Sequence, residues 1–155
     1  MDYFNQETKE RFTPHIVETS AGLARNMLMF LDNAYTEEVD AQGETRVYLK
    51  LHPSIAPITC AVFPLLKNRP ELVEKAKSVY MDLRKHFRCE FDDNGNIGKR
   101  YRRQDEIGTP WCIVIDFETL GKEAPELADT VTVRNRDTGT QERVAIADLI
   151  EKLKI

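Results

Sequence analysis

The 155-residue chain is predicted to be an α/β protein built on a mixed, mostly parallel sheet with helices on both faces. Three observations predict it. From residue 58 onward, strand-like and helix-like segments alternate, the pattern of parallel strands joined by crossover helices. Residues 58–63 and 111–117 are nearly unbroken apolar runs, as strands covered on both faces require. Two later strand-like runs meet across Asp137, Thr138, Gly139 and Thr140, a hairpin that makes the sheet mixed.

Taken in order, residues 1–13 are polar and turn-rich and predict no regular element. Residues 15–18 read as a short strand before a turn at Ser20, Ala21 and Gly22. Leu23, Met27, Leu28, Leu31 and Tyr35 then recur at helical spacing and make one apolar face. Residues 36–44 are acidic and end in a turn, which predicts a surface connection. Val47, Leu49 and Leu51 alternate with Arg46, Tyr48 and Lys50, a strand period. Pro53 and Pro57 mark a linker, and a boundary there divides the chain into 1–52 and 53–155. After the strand 58–63, closed by Pro64, the signals Asn68, Pro70 and Glu71 open a long helix. Leu72, Ala76, Val79, Tyr80, Leu83 and Phe87 give it an apolar face, and Arg84, Lys85, His86 and Arg88 a basic last turn. A short strand at 89–91 and a polar turn at 92–96 precede a second helix over 97–107, stopped by Gly108 and Pro110. Strand 111–117, the hairpin of Val131, Val133 and residues 141–146, and a closing helix over 148–153 complete the chain.

At 41% hydrophobic and 31% charged residues the composition is that of a globular domain able to bury a core without disulfides or metal. The net charge of -4 means that any basic binding surface is local. No apolar run reaches the about 18 residues of a membrane span, and the N-terminal residues lack a signal-peptide pattern. Cys60, Cys89 and Cys112 fit neither a zinc spacing nor a disulfide framework, so they read as reduced core thiols of an intracellular protein.

Four segments carry candidate chemistry. Lys99, Arg100, Arg102 and Arg103 put four cations in five positions around Tyr101. A helix there sets Ile97, Tyr101 and Gln104 on one side and fans the cations over the rest. That suits phosphates and stacked bases, or else a solvated face balanced by Asp105 and Glu106. The cluster lies between a polar turn that ends one strand and Asp116, Phe117 and Glu118 at the end of the next, where open sheets bind ligands. The turn Asp93, Asn94, Gly95, Asn96 offers amides suited to base edges, or is ordinary turn chemistry. Arg134 and Arg136, at the end of another strand, either reach the same edge or pair with acidic surface. The fourth segment is Glu18 to Arg25. Gly22 allows close backbone approach, Arg25 projects toward an anion at the helix start, and Glu18 suits an ammonium. The alternative is a plain helix start with Ser20 as N-cap.

Residues 97–110 (IGKRYRRQDEIGTP) resemble the hallmark of the anticodon-binding domain of class II glycyl-tRNA synthetases of the dimeric type. Residues 14–25 resemble the third signature motif of the same enzymes, and Ala61 to Leu65 and Asp129 to Arg134 fit as well, in the family's order. The resemblance covers essentially the whole chain. It implies a remnant of a catalytic domain at 1–52 and an anticodon-binding domain at 53–155. It implies glycine binding by Glu18, Ser20 and Gly22, ATP binding by Gly22 and Arg25, and tRNA contact by Asn94, Glu118, Arg134 and Arg136; Lys99 and Arg103 are added on charge. The parent enzyme uses ATP and Mg2+ to join glycine to its tRNA. It is a cytoplasmic homodimer with neither DNA nor a membrane as partner. Thr19 stands where the family commonly has proline, and Ala24 where it has aspartate. The first two catalytic motifs are absent from these residues. The chain is therefore expected to belong to a longer enzyme, with Met1 an introduced or internal methionine, to bind tRNA without catalysis, and to hold no ATP alone. The alternative is a freestanding accessory or regulatory RNA-binding protein of the same descent.

Overall fold

The computed structural model describes residues 2–39, 43–122 and 124–154. It opens on a two-residue pair of strands, β1 (Tyr3–Phe4) and β2 (Arg11–Phe12), followed by an irregular stretch and helix α1 (Leu23–Ala34). A hairpin of β3 (Tyr35–Val39) and β4 (Thr45–Leu49) comes next. Then follow β5 (Cys60–Pro64), α2 (Pro70–Leu83), β6 (Cys89–Phe91), α3 (Ile97–Ile107), β7 (Trp111–Ile115), β8 (Thr130–Asn135), β9 (Gln141–Ala145) and α4 (Leu149–Lys152).

The last five strands form one sheet in the order β6-β5-β7-β8-β9. β5 runs parallel to β6 and β7, while β8 is antiparallel to both its neighbours. Four strands therefore point one way and β8 the other. Strand alternation sorts the core into two layers. Cys60, Val62, Ile113, Ile115, Val131 and Val133 pack with Leu72, Ala76, Val79 and Leu83 of α2 and with Leu149 and Leu153 at α4. Ala61, Phe63, Cys112 and Val114 pack on the other face against Ile97 and Tyr101 of α3. Each large side chain buried in this way contributes about 1.5–3 kcal/mol, which is why β5 and β7 read as continuous apolar runs.

Several boundaries differ from expectation for local reasons. Residues 15–18 form no strand; an isolated strand leaves its backbone groups without a ladder, and no partner strand lies beside them among the described residues. Residues 35–39 are not a loose connection but β3, with Glu37 opposite Val47 and Glu38 opposite Arg46. The Glu38 and Arg46 side chains pair at 2.7 Å across the strands. Asp40, Ala41 and Gln42 of the expected connection lie outside the described residues. Helix α2 stops at Leu83, because the amides of Lys85 and His86 turn to carbonyls three residues back, so the basic residues follow the helix instead of closing it. Strand β7 ends at Ile115. There Asp116 Oδ1 accepts from the Thr119 backbone N–H at 3.0 Å, a local bond that replaces the ladder and starts a 3-10 turn at Glu118–Leu120. The N-cap of α1 is Gly22, not Ser20, with no side-chain cap.

Cys60 and Cys112 are buried and Cys89 half-buried, and all three are free thiols. A hydrogen bond toward Cys89 and burial push the Cys60 thiol up, and burial does the same for Cys112. No helix is long and apolar enough to cross a membrane among the described residues.

Candidate nucleic-acid interface

Helix α3 organises this region from the inside as much as from the outside. Asn96 caps it through its side-chain oxygen on Lys99 N at 2.9 Å, and Gly108 ends it in the left-handed conformation at φ 83°. The spacing expected to fan four cations outward instead turns Arg100 inward, where it is 1% exposed. Its guanidinium donates to the carbonyls of Asp93 at 3.0 Å and Gly95 at 2.8 Å, and to Pro64 O at the end of β5. Arg100 is thus the post around which the 92–96 turn is wound. Arg103 reinforces the turn by bonding Asp92 through Nε at 3.0 Å and the Asn94 carbonyl at 2.7 Å, and it stays partly exposed. These contacts leave the Asn94 side-chain amide facing solvent with no partner among the described residues. Lys99 is also exposed, and Arg102 is paired with Glu106 at 3.3 Å on the outer face of the helix.

Where α3 stops covering the sheet, the face it lies on becomes polar. Thr132 and Arg134 of β8 and their cross-strand partners Arg143 and Gln141 of β9 all point to this side. Arg143 is the centre of the cluster at one end. It donates to Thr130 Oγ1 at 2.9 Å, to Thr132 Oγ1 at 2.9 Å and to both oxygens of Asp116, and it forms an ion pair with Glu118 at 2.9 Å. Burial alone raises the Asp116 carboxyl, but the Arg143 guanidinium and the Thr119 donors outweigh it and hold the group below the ordinary carboxylate value. A cleft of about 430 Å³ lined by Leu65, Phe117, Glu118, Thr132 and Arg143 opens here.

Arg134 marks the other end. Its guanidinium lies 4.8 Å from the centre of the Tyr101 ring and forks onto Asp105 at 2.9 and 3.1 Å. Burial pushes the Tyr101 hydroxyl up to about 12, so the ring presents as a neutral platform. A second cleft of about 410 Å³, between the β3–β4 hairpin and α3, is lined by Arg46, Lys99, Tyr101, Arg102 and Arg134.

The expected single rim is therefore corrected. Asn94 and Glu118 follow the carboxyl ends of β6 and β7, but β8 runs the opposite way, with Arg134 opposite Cys112 at the start of β7. Arg134 and Glu118 share one face of the sheet and not one edge. Arg136 is on neither: it is 1% exposed and donates to Gly108 O at 2.6 Å, Leu51 O at 2.7 Å and Asp137 at 2.8 Å. It ties the segment after β4 to the end of α3, and no base can reach it. Sequence reasoning missed Arg143, Thr132 and the pairing role of Asp105. The hairpin register, once centred on Gly139, was the signal available, since it sets Arg143 opposite Thr132 and on the face of Arg134.

Glu18, Ser20, Gly22 and Arg25 form no enclosed site. All four are exposed on the irregular stretch and the first turn of α1, with nothing on their far side among the described residues. They do not by themselves fit a nucleotide, whose phosphates need several groups converging from more than one element. No group of three or more His, Cys, Asp or Glu is placed to hold a metal ion among the described residues.

A three-layer α/β sheet with an uncovered polar face beside a basic helix is the architecture of an anticodon-binding domain. The family model described as an anticodon binding domain matches residues 59–155, and the chain belongs to that family. It is 50% identical to the glycine–tRNA ligase of Borrelia garinii subsp. bavariensis over 153 residues, 99% of this chain and 33% of that protein. It is 51% identical to the glycine–tRNA ligase of Lachnospira eligens over 149 residues, 96% of this chain and 30% of that protein. With the Thermobifida fusca glycine–tRNA ligase the identity is 50% over 156 residues, 98% of this chain and 32% of that protein. The chain spans about a third of the length of the curated relatives it matches.

Proposed function

We propose that this chain is the anticodon-reading portion of a glycine–tRNA ligase and that it binds tRNA bearing the glycine anticodon. The observation that carries the reading is the polar sheet face beside α3, with Arg134 at one end and Thr132, Arg143 and Glu118 at the other, together with the solvent-facing amide of Asn94. Arginine forks, carboxylates and amides distinguish base edges that a purely basic surface does not. In this reading Arg134, Glu118 and Asn94 meet bases, Lys99 and Arg103 meet phosphates, and Arg136 acts only by holding the scaffold. Residues 1–52 belong with the catalytic part and 53–155 with RNA reading. The exposed Glu18, Ser20, Gly22 and Arg25 await the rest of the catalytic domain, which supplies the other walls of a site for glycine, ATP and Mg2+. The parent enzyme is a cytoplasmic homodimer.

Fluorescence anisotropy with tRNA carrying the glycine anticodon, against the same tRNA with its anticodon bases exchanged, tests this. The expected preference is about tenfold or more per exchanged base, and it persists at salt that abolishes phosphate-driven binding. Binding with no preference rejects anticodon reading and favours an accessory RNA-binding role. Glycine-dependent pyrophosphate exchange by the chain alone is expected to be nil.

A further inference from the structure

Asp105, near the end of α3, has a side chain only 5% exposed, and both its oxygens are taken by arginines. Oδ1 accepts from Arg134 Nη1 at 2.9 Å and Oδ2 from Arg134 Nη2 at 3.1 Å. Oδ2 also accepts from Arg46 Nε at 3.0 Å, and Arg46 is anchored in turn on Glu38 at 2.7 Å and on the Arg136 carbonyl at 2.5 Å. The Arg134 guanidinium is therefore held along its edge by a carboxylate and lies against the Tyr101 ring. An arginine loses much rotamer freedom when it binds a ligand, and ordering it beforehand removes that cost. The fork uses two of its five N–H donors, leaving Nε and one hydrogen on each terminal nitrogen. At 11% side-chain exposure Arg134 cannot swing out to a distant phosphate without breaking the fork.

We propose that Asp105 is a positioning residue for RNA reading: it fixes the plane and direction of Arg134, and so sets discrimination between anticodons without touching RNA. The proposal rests on Arg134 being an RNA contact. It also assigns the buried end of α3 a part in specificity, alongside the exposed cations of the same helix. Asp105 is anchored from two sides, by β4 through Arg46 and by β8 through Arg134, so the carboxylate is itself immobile.

The test measures, on the full 155-residue chain, the ratio of affinities for tRNA with the glycine anticodon and tRNA with exchanged anticodon bases. Asp105→Asn keeps the shape but removes the charge and one acceptor. The ratio is expected to fall about tenfold, while affinity for the exchanged tRNA, set by phosphates, changes less than about twofold. In an Arg134→Ala background Asp105→Asn is expected to cause no further loss of the ratio, because the two residues act as one unit. A merely structural Asp105 leaves the ratio unmoved, or lowers it equally in both backgrounds; either result overturns the proposal. Should Asp105→Asn not fold, Arg134→Lys probes the same fork, since one ammonium cannot bridge both carboxylate oxygens with a planar group. A retained ratio there overturns the proposal as well. Absence of discrimination in the unaltered chain rejects the anticodon reading itself, and the positioning role with it.

Discussion

Asp116 shows how one carboxylate is made to serve both the fold and the proposed interface. It ends β7 by capping Thr119, and both its oxygens accept from Arg143, whose guanidinium otherwise keeps only Glu118 and the Thr130 and Thr132 hydroxyls as partners. Burial works against the charge, yet the donors around it keep the folded-state value below the ordinary one. The sign of the pH effect follows. In the interval between the two values the unfolded chain binds more protons than the folded one, so the contribution is complete above the unfolded value of about 3.9 and is lost as pH falls through the folded value. Urea midpoints measured from neutral pH downward are expected to hold and then drop below about pH 4. Arg143→Met is expected to cost about 2 kcal/mol at neutral pH and to flatten the acid-side drop, because Asp116 loses its main stabilising partner. Parallel curves for the two proteins contradict this assignment.

At the scale of elements, α3 depends on how it stops. Gly108 adopts φ 83°, and a Cβ built there meets Leu51 Cδ1 at 2.9 Å and the Leu49 carbonyl at 3.0 Å. The glycine thus allows both the left-handed turn and the close approach of the chain after β4, while its own carbonyl receives Arg136. Gly108→Ala combines a backbone penalty with overpacking, and is expected to destabilise by about 2–4 kcal/mol in denaturant unfolding. A loss under 1 kcal/mol counts against the close approach. The order of strands and helices from β5 onward was legible because apolar runs, capping residues and breakers all agreed. The first strand of the hairpin β3–β4 was not: Glu37 and Glu38 look like solvated linker, and it is the backbone pairing with β4, with Glu38 beside Arg46, that makes that segment a strand. Among the site residues, the amide of Asn94 and the exposure of Lys99 were readable from turn and charge. The inward turn of Arg100 was not, because its partners are backbone carbonyls of Pro64, Asp93 and Gly95, and carbonyls leave no trace in a sequence. The direction of β8, which moves Arg134 to the far end from Glu118, depends on sheet order and not on any local pattern.

For the molecule as a whole, the sheet is covered on its α2 side and largely on its α3 side, while α1 presents apolar residues to solvent. Leu23 is 85% and Leu28 67% exposed, and Met27 and Phe30 join Leu49, Leu51, Ile55 and Ile107 around an apolar groove of about 610 Å³. A contiguous apolar surface of this kind drives association in a protein that otherwise carries a modest net charge of -4. Leu23 is also the first residue of α1, whose first turn carries no acidic side chain. Leu23→Glu places a negative charge at the positive end of the helix dipole and removes little buried area. The expectation is a melting temperature that is unchanged or raised, with a gain of at most about 1 kcal/mol, together with less concentration-dependent self-association in sedimentation velocity. Combining it with Leu28→Lys should extend the second effect without a stability cost, because that side chain too is mostly exposed. If both changes instead lower the melting temperature in a way that depends on protein concentration, the α1 face is part of a folded interface between copies and its burial contributes to stability.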